Sequence, residues 1–181
     1  WQLTGSCDLF GYLQSEKYFS KDIKEQFKFT DELTDRISDN KVFSKETIAI
    51  SVRRGDYVGN PLYYQIQPHW YLDVLLTHFP NWKECNLLIF SDDVEYCKVH
   101  FECLPNAFFP KGNEIEDLAM MTLCDNHIVA NSTLSWWGAW LSKSKKIVHF
   151  GKLMEGWLAK ESNISESYFI AQVEIDLPEL A

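Results

Sequence analysis

The residues most able to do chemistry fall into four short clusters. The first is Arg53-Arg54-Gly55-Asp56-Tyr57, where two adjacent arginines leave an apolar run. A guanidinium stays charged and offers five N–H donors suited to phosphate, so placing two of them together is costly unless one meets an anion. Two readings stand equal on spacing alone: an arginine binds an anionic ligand, or it pairs with Asp56 or another carboxylate of the chain. The second cluster, Ser91-Asp92-Asp93, could chelate a divalent ion bridging a diphosphate. Capping a helix accounts for the same residues more simply, although Asp92 could still face a bound sugar or nucleotide. Lys111-Gly112 forms the third cluster. The fourth is Asn131-Ser132-Thr133-Leu134-Ser135, in which Asn131, Ser132, Thr133 and Ser135 supply small hydrogen-bonding side chains where a helix begins. Free N–H groups at such a start make an anion site without any metal, and capping explains one hydroxyl, not the whole set.

These clusters have to be positioned by the elements around them. Residues 47–52 form a β-branched run that reads as a buried strand, and 68–79, with proline at its start, reads as a helix. A strand over 86–90 leads to Ser91 as an N-cap and a helix to about residue 101. A short strand over 106–109 precedes a helix from Asn113 to Cys124 with an acidic first turn. A strand over 127–130, a helix over 132–142 and a strand over 146–150 complete the series. Alternation at this spacing predicts an α/β fold: a Rossmann-like, mainly parallel sheet with helices on both faces. Ligands in such sheets sit beyond the carboxyl ends of the strands, where all four clusters lie. Residues 11–40 show a helical period, with Tyr12, Glu16, Phe19, Ile23 and Phe27 recurring on one side. The expected organisation is therefore a helical lead-in over 1–45 and a Rossmann-like domain over 46–181.

Composition narrows the function classes. The chain has 181 residues, 46% hydrophobic and 15% aromatic, enough apolar material for one core. Its apolar runs are too short to span a membrane. Seventeen Lys and Arg against 26 Asp and Glu give a net charge of −9, which argues against nucleic acid or an anionic membrane surface as partner. The five cysteines, at 7, 85, 97, 103 and 124, form no C-x-x-C pair and no zinc spacing, and they read as buried thiols of a reducing compartment. Trp1 opens the chain with no signal-like segment after it, so it reads as a fragment. Asn131-Ser132-Thr133 and Asn163-Ile164-Ser165 also match glycosylation sequons.

Taken in order, Ser51-Val52-Arg53-Arg54-Gly55-Asp56-Tyr57, Phe90-Ser91-Asp92-Asp93, Asp117-Leu118 with Cys124-Asp125, and the run from Ala130 through Ser135-Trp136-Trp137-Gly138-Ala139-Trp140 to Leu141 strongly resemble the α-1,2-fucosyltransferases. The opening stretch from Gly11 to Phe19 resembles the same family. The resemblance implies the donor-binding lobe of an inverting, metal-independent glycosyltransferase of the GT-B type. Such an enzyme moves fucose from GDP-β-L-fucose to the 2-hydroxyl of a galactose-containing glycan acceptor, and needs no cofactor besides its donor substrate. For a bacterial member it implies a cytoplasmic location, either soluble or membrane-associated. Carried over by residue, Arg53 and Arg54 would face the diphosphate, Asp117 would recognise guanine, and Ser132 with Thr133 would bind the phosphates. Asp56 is the nearest motif carboxylate for a catalytic base, with pairing to an arginine as the plainer alternative. One position departs from the family pattern: Ser51 stands where histidine is usual, and a serine is too short to reproduce the contacts of an imidazole. Two other readings remain open, a non-catalytic nucleotide-binding module and a transferase using another nucleotide sugar.

Overall fold

A computed structural model of the chain describes residues 18, 20, 22–151 and the backbone of 174–176. Strands β1 (Thr47–Val52), β2 (Asn86–Ser91), β3 (Ala107–Phe108), β4 (Asn126–Val129), β5 (Lys146–Phe150) and β6 (Glu174–Asp176) form one sheet in the order β3-β2-β1-β4-β5-β6. Every pairing is parallel. The central strand β1 is buried along its whole length, which is why its sequence is continuously apolar rather than alternating.

Alternate residues of the strands feed two separate cores. Ile48, Ile50 and Val52 join Leu87, Ile89, Ile128, Val148 and Phe150 beneath α3 (Pro68–His78) and α4 (Val94–Phe101). On the opposite face Ala49, Leu88 and Phe90 meet Met121 and Cys124 of the segment carrying α5 (Glu114–Leu123). Val129 packs there with Trp136, Ala139 and Trp140 of α6 (Thr133–Leu141), the two tryptophan rings stacked at 5.9 Å. Each fully buried aliphatic or aromatic side chain contributes roughly 1.5–3 kcal/mol by leaving water. Helices thus cover both faces, as the alternation of elements predicts.

Several local expectations differ from the structure. Within the described part of the lead-in, the helix is not continuous: a single turn, α1 (Ile23–Gln26), is separated from α2 (Asp31–Ser38) by residues 27–30, which belong to no helix. Thr30 caps α2 by accepting the Leu33 N–H, while Phe27 turns its ring onto Trp137 at 6.3 Å, so tertiary packing and a cap override the helical period. The resembling stretch from Gly11 to Phe19 lies outside the described residues apart from Tyr18. Ser91 is not the cap of α4: Asp93 is, accepting the Tyr96 N–H at 3.1 Å, and the Ser91 hydroxyl supports it by accepting the Asp93 N–H at 3.0 Å. Strand β6 was not anticipated from the sequence. Cys85, Cys97 and Cys124 are buried free thiols, whereas Cys103 is exposed; Cys7 is outside the described residues.

The strand order places a reversal between β1 and β4. From β1 the chain steps outward through β2 and β3, then returns across the sheet to β4 on the other side of β1. Loops leaving β1 and β4 therefore diverge and open a crevice at their carboxyl ends.

Candidate functional site

The crevice at this reversal has a volume of about 200 Å³. Arg53 from the end of β1, Asp92 after β2, Asp117 from α5, and Ser132 and Ser135 from the start of α6 all line it. These five candidate site residues thus meet in one place, and Ser51, Ser91 and Gly112 line it beside them. Arg54, Asp56, Asn131 and Thr133 are not among its lining residues.

Arg53 is held but not enclosed. Its Nη1 lies 2.8 Å from Asp92 Oδ2 and its Nη2 donates to Asp56 Oδ1 at 2.5 Å. Partial burial works against its charge, but the hydrogen bond to Asp56 and the charges of Asp92 and Asp56 outweigh this and raise its pKa further above the ordinary arginine value. Its side chain keeps 36% exposure, and two carboxylate contacts leave several of its five N–H donors available. Asp56 is 64% exposed and engaged by Arg53, so the pairing expected as the plainer alternative is present.

Asp92 organises the turn. Besides pairing with Arg53 it accepts the Arg54 backbone N–H at 2.9 Å. A Cβ on Gly55 would come within 2.3 Å of Asp92 Oδ2, so only glycine lets the carboxylate sit there. Arg54 follows a different course: its guanidinium lies 3.7 Å over the Tyr96 ring, its Nε is 3.6 Å from Asp93 Oδ2, and the side chain is only 17% exposed. Arg54 ties the turn to α4 rather than lining the crevice.

Ser132 is the N-cap of α6 by backbone position, yet its side chain makes no capping hydrogen bond. The first backbone bond of the helix is Trp136 N–H to Ser132 O, which leaves the N–H groups of residues 133–135 without helical acceptors. Ser135 is buried at the same end, while Thr133 is exposed. Asn131 does something else: buried, it donates its amide N–H to Tyr64 O at 2.9 Å, and its own carbonyl accepts the Tyr57 hydroxyl at 2.8 Å. It joins the 57–67 loop to β4, and a buried, committed amide cannot carry a glycan. The second sequon falls outside the described residues.

Asp117 faces the crevice from the first turns of α5. That helix starts with a reciprocal cap, in which Asn113 accepts the Ile115 and Glu116 N–H groups at 3.0 Å and Glu116 accepts the Asn113 N–H at 2.9 Å. Glu116 also pairs with Arg36 of α2. Asp117 has no such duty: its Oδ1 is buried with no hydrogen-bond partner among the described residues. Burial first, then the charges of Glu116 and Glu114, push its pKa up to about 6. An unsatisfied buried carboxylate is expensive and is best explained by a donor that arrives with a ligand.

Sequence reasoning did not single out Glu114 and Met121, which also line the crevice; the acidic start of α5 was read as helix-dipole chemistry alone. Gly112, noted only as following β3, passes so close that a Cβ would lie 2.7 Å from Glu116 Cβ and 3.1 Å from Asp117 Oδ1. Ser51 is buried and contributes to the floor. The Cys124-Asp125 element lies at the opposite end of the sheet, where Asp125 accepts the Thr47 backbone N–H and hydroxyl at 3.0 Å, and is structural.

Solved structures share this architecture. A glycosyl transferase family 9 protein from Veillonella parvula superposes with a TM-score of 0.57 over 83% of this chain and 42% of its own, at 12% identity. The structure of POFUT1 in complex with GDP gives 0.51 over 72% and 51%, also at 12% identity. Both likenesses concern the fold, which is that of a GT-B glycosyltransferase lobe. Among curated proteins, the Escherichia coli O-antigen biosynthesis glycosyltransferase WbnK is 31% identical over 155 residues, covering 76% of this chain and 51% of that protein. An Escherichia coli α-1,2-colitosyltransferase is 31% identical over 153 residues, covering 77% and 52%. The chain spans about half the length of these curated relatives. Residues 6–168 match the profile of Glycosyl transferase family 11, nearly the whole chain and all of the crevice, and the chain therefore belongs to that family.

Proposed function

We propose that the chain is the donor-binding part of a glycosyltransferase that transfers fucose from GDP-β-L-fucose to the 2-hydroxyl of a galactose acceptor, with inversion. The observation that carries this reading is the division of the crevice wall. One side, on α5, offers hydrogen-bond acceptors, with the unpartnered Asp117 Oδ1 foremost. The other, from β1 and α6, offers Arg53, two serine hydroxyls and free helix N–H groups. Guanine presents N1–H and an amino group, which a carboxylate accepts as a pair, and its diphosphate presents oxygens that the second side would hold. Uracil has no such donor pair. The GDP bound to the POFUT1 neighbour is in keeping with this assignment.

The same groups fit the chemistry of transfer. As the sugar–phosphate bond breaks, negative charge grows on the leaving β-phosphate and positive charge on the sugar ring. Cationic and N–H donors fixed at the phosphate stabilise that state more than the bound donor. Inversion then takes a single displacement by the acceptor hydroxyl. Arg53 is the residue we assign to the leaving group. Asp92 and Arg54 hold its turn, and Asp56 balances its charge.

The relative named as an α-1,2-colitosyltransferase favours one second reading, in which the same nucleotide carries a different deoxy sugar. The full-length protein, incubated with a β-galactoside and either GDP-fucose or GDP-colitose, separates the two by product mass. Fucosylated product with the new linkage inverted supports the proposal. Colitosylated product alone replaces the sugar and retains the nucleotide. GDP binding with no product from either donor means a non-catalytic module.

A further inference from the structure

Beside the crevice runs a second, wider groove of about 530 Å³, formed by the loop between β1 and α3 and lined by Asn60, Pro61, Tyr63, Tyr64, Gln65 and Gln67 among others. Among the described residues its lining carries no charged side chain, although a quarter of the chain's residues, 24%, are charged. Amides and tyrosines on a neutral wall are what a saccharide requires. Hydroxyls both donate and accept, which an amide matches with its N–H and C=O ends, and the C–H face of a pyranose lies against the negative face of an aromatic ring. A phosphate would find no cation there.

The groove is built rather than improvised. Asn60 Oδ1 accepts the Leu62 N–H at 3.0 Å, Gly59 adopts φ +76° to make the turn, and Gln67 donates to Gln65 O at 3.0 Å. Ile66 is buried beneath as an anchor, the Tyr64 ring packs 5.0 Å from Phe150, and Asn131 fixes Tyr64 O. These bonds leave the Asn60 amino group and the Gln67 carbonyl oxygen for a ligand. The groove is also joined to the donor crevice through Tyr57: the Arg53 guanidinium carbon lies 5.4 Å from the Tyr57 ring centroid, and Tyr57 stacks on Tyr63 at 4.1 Å with 8° between the rings. One aromatic ring therefore separates the groove's Tyr63 from the arginine assigned to the leaving phosphate.

We propose that this groove is the docking site for the acceptor saccharide on the donor-binding part, with Tyr63 as its stacking platform and Asn60, Gln65 and Gln67 as its hydroxyl readers. That the groove takes a neutral sugar stands on its own lining; that this sugar is the acceptor rests on the function proposed above. Saturation-transfer NMR of the chain with lactose, a β-galactoside, tests it, with GDP binding followed separately by calorimetry and folding by circular dichroism. Lactose should receive saturation from the wild-type chain, and Tyr63→Ala should weaken it on the order of tenfold. Gln65→Ala, a change at a half-buried loop side chain, should weaken it as well, and GDP affinity should stay within about twofold in both variants, as contacts outside a ligand's own site do. Lactose binding without any GDP binding keeps the saccharide groove and removes the donor reading. GDP binding with no lactose signal, or a lactose signal that both variants leave unchanged, overturns the groove.

Discussion

Asp92 joins two consecutive residues of the β1 turn: one carboxylate oxygen lies 2.8 Å from Arg53 Nη1 and the other accepts the Arg54 backbone N–H at 2.9 Å. The arginine assigned to the leaving group is thus aimed by an acid that also fixes the backbone it springs from. Asp92→Ala should free the guanidinium and weaken GDP binding by about tenfold, the size of a lost charge-assisted hydrogen bond, with little change in melting temperature because the pair is partly exposed. Calorimetry and thermal denaturation on the same preparation read both.

Asp56 discriminates between balancing a charge and removing a proton. Its carboxylate competes with phosphate for Arg53, so Asp56→Asn should tighten GDP binding a few-fold and leave kcat of the full-length enzyme nearly unchanged. A fall in kcat of about 10² or more, as removal of a general base produces, would reassign Asp56 to catalysis.

In the proposed site Asp117, whose Oδ1 has no hydrogen-bond partner among the described residues, should make GDP binding pH-dependent. With a free-site pKa pushed up to about 6, Asp117 is ionised at pH 8 and mostly protonated at pH 5. Under the proposed assignment the ionised form would accept both guanine N–H groups, so affinity for GDP should fall by about tenfold across that interval as the proton is taken up. Asp117→Asn should flatten the profile at the weak limit.

Gly138 lets α6 lie against α5. A Cβ at that position would come 2.7 Å from both Cβ and Sδ of Met121. Gly138→Ala should therefore cost about 1–3 kcal/mol by overpacking, despite alanine's better helix propensity. Because the same contact spaces Asp117 from Ser132 and Ser135, GDP affinity should drop with it.

Two histidines set an acid limit on stability. His127 and His149 are fully buried on neighbouring strands, and burial lowers their pKa values to about 3 and about 4. Between those values and the ordinary 6.5 the unfolded chain binds protons that the folded chain refuses, so stability should fall as pH drops below 6.5. His127→Asn or His149→Gln should blunt that slope in denaturant titrations taken from pH 7 to pH 4.

Much of this was legible in the sequence because it rests on local pattern. The β-branched run ending at Arg53 marks a strand whose exit must matter, and Asn113 before an acidic first turn marks the start of a helix. Tertiary choices were not legible. Nothing in Arg53-Arg54 says that one guanidinium lines the crevice while its neighbour stacks on Tyr96, since that split depends on the face each side chain takes as it leaves the strand. Asn131 looks like a ligand residue until Tyr64 O appears beside it. The break in the described part of the lead-in, at residues 27–30, was hidden for the same reason: Phe27 packs on Trp137 there, a tertiary contact that the helical period does not show.

In the proposed site one crevice holds guanine at Asp117 and the diphosphate at Arg53. Titrating GDP and then UDP into the purified chain by calorimetry, with a chelator present, tests it most directly. GDP should give heat of binding that Arg53→Ala weakens by about ten- to a hundredfold, and UDP should bind much more weakly. A folded chain that gives no heat with GDP, or that binds UDP equally well, would contradict it.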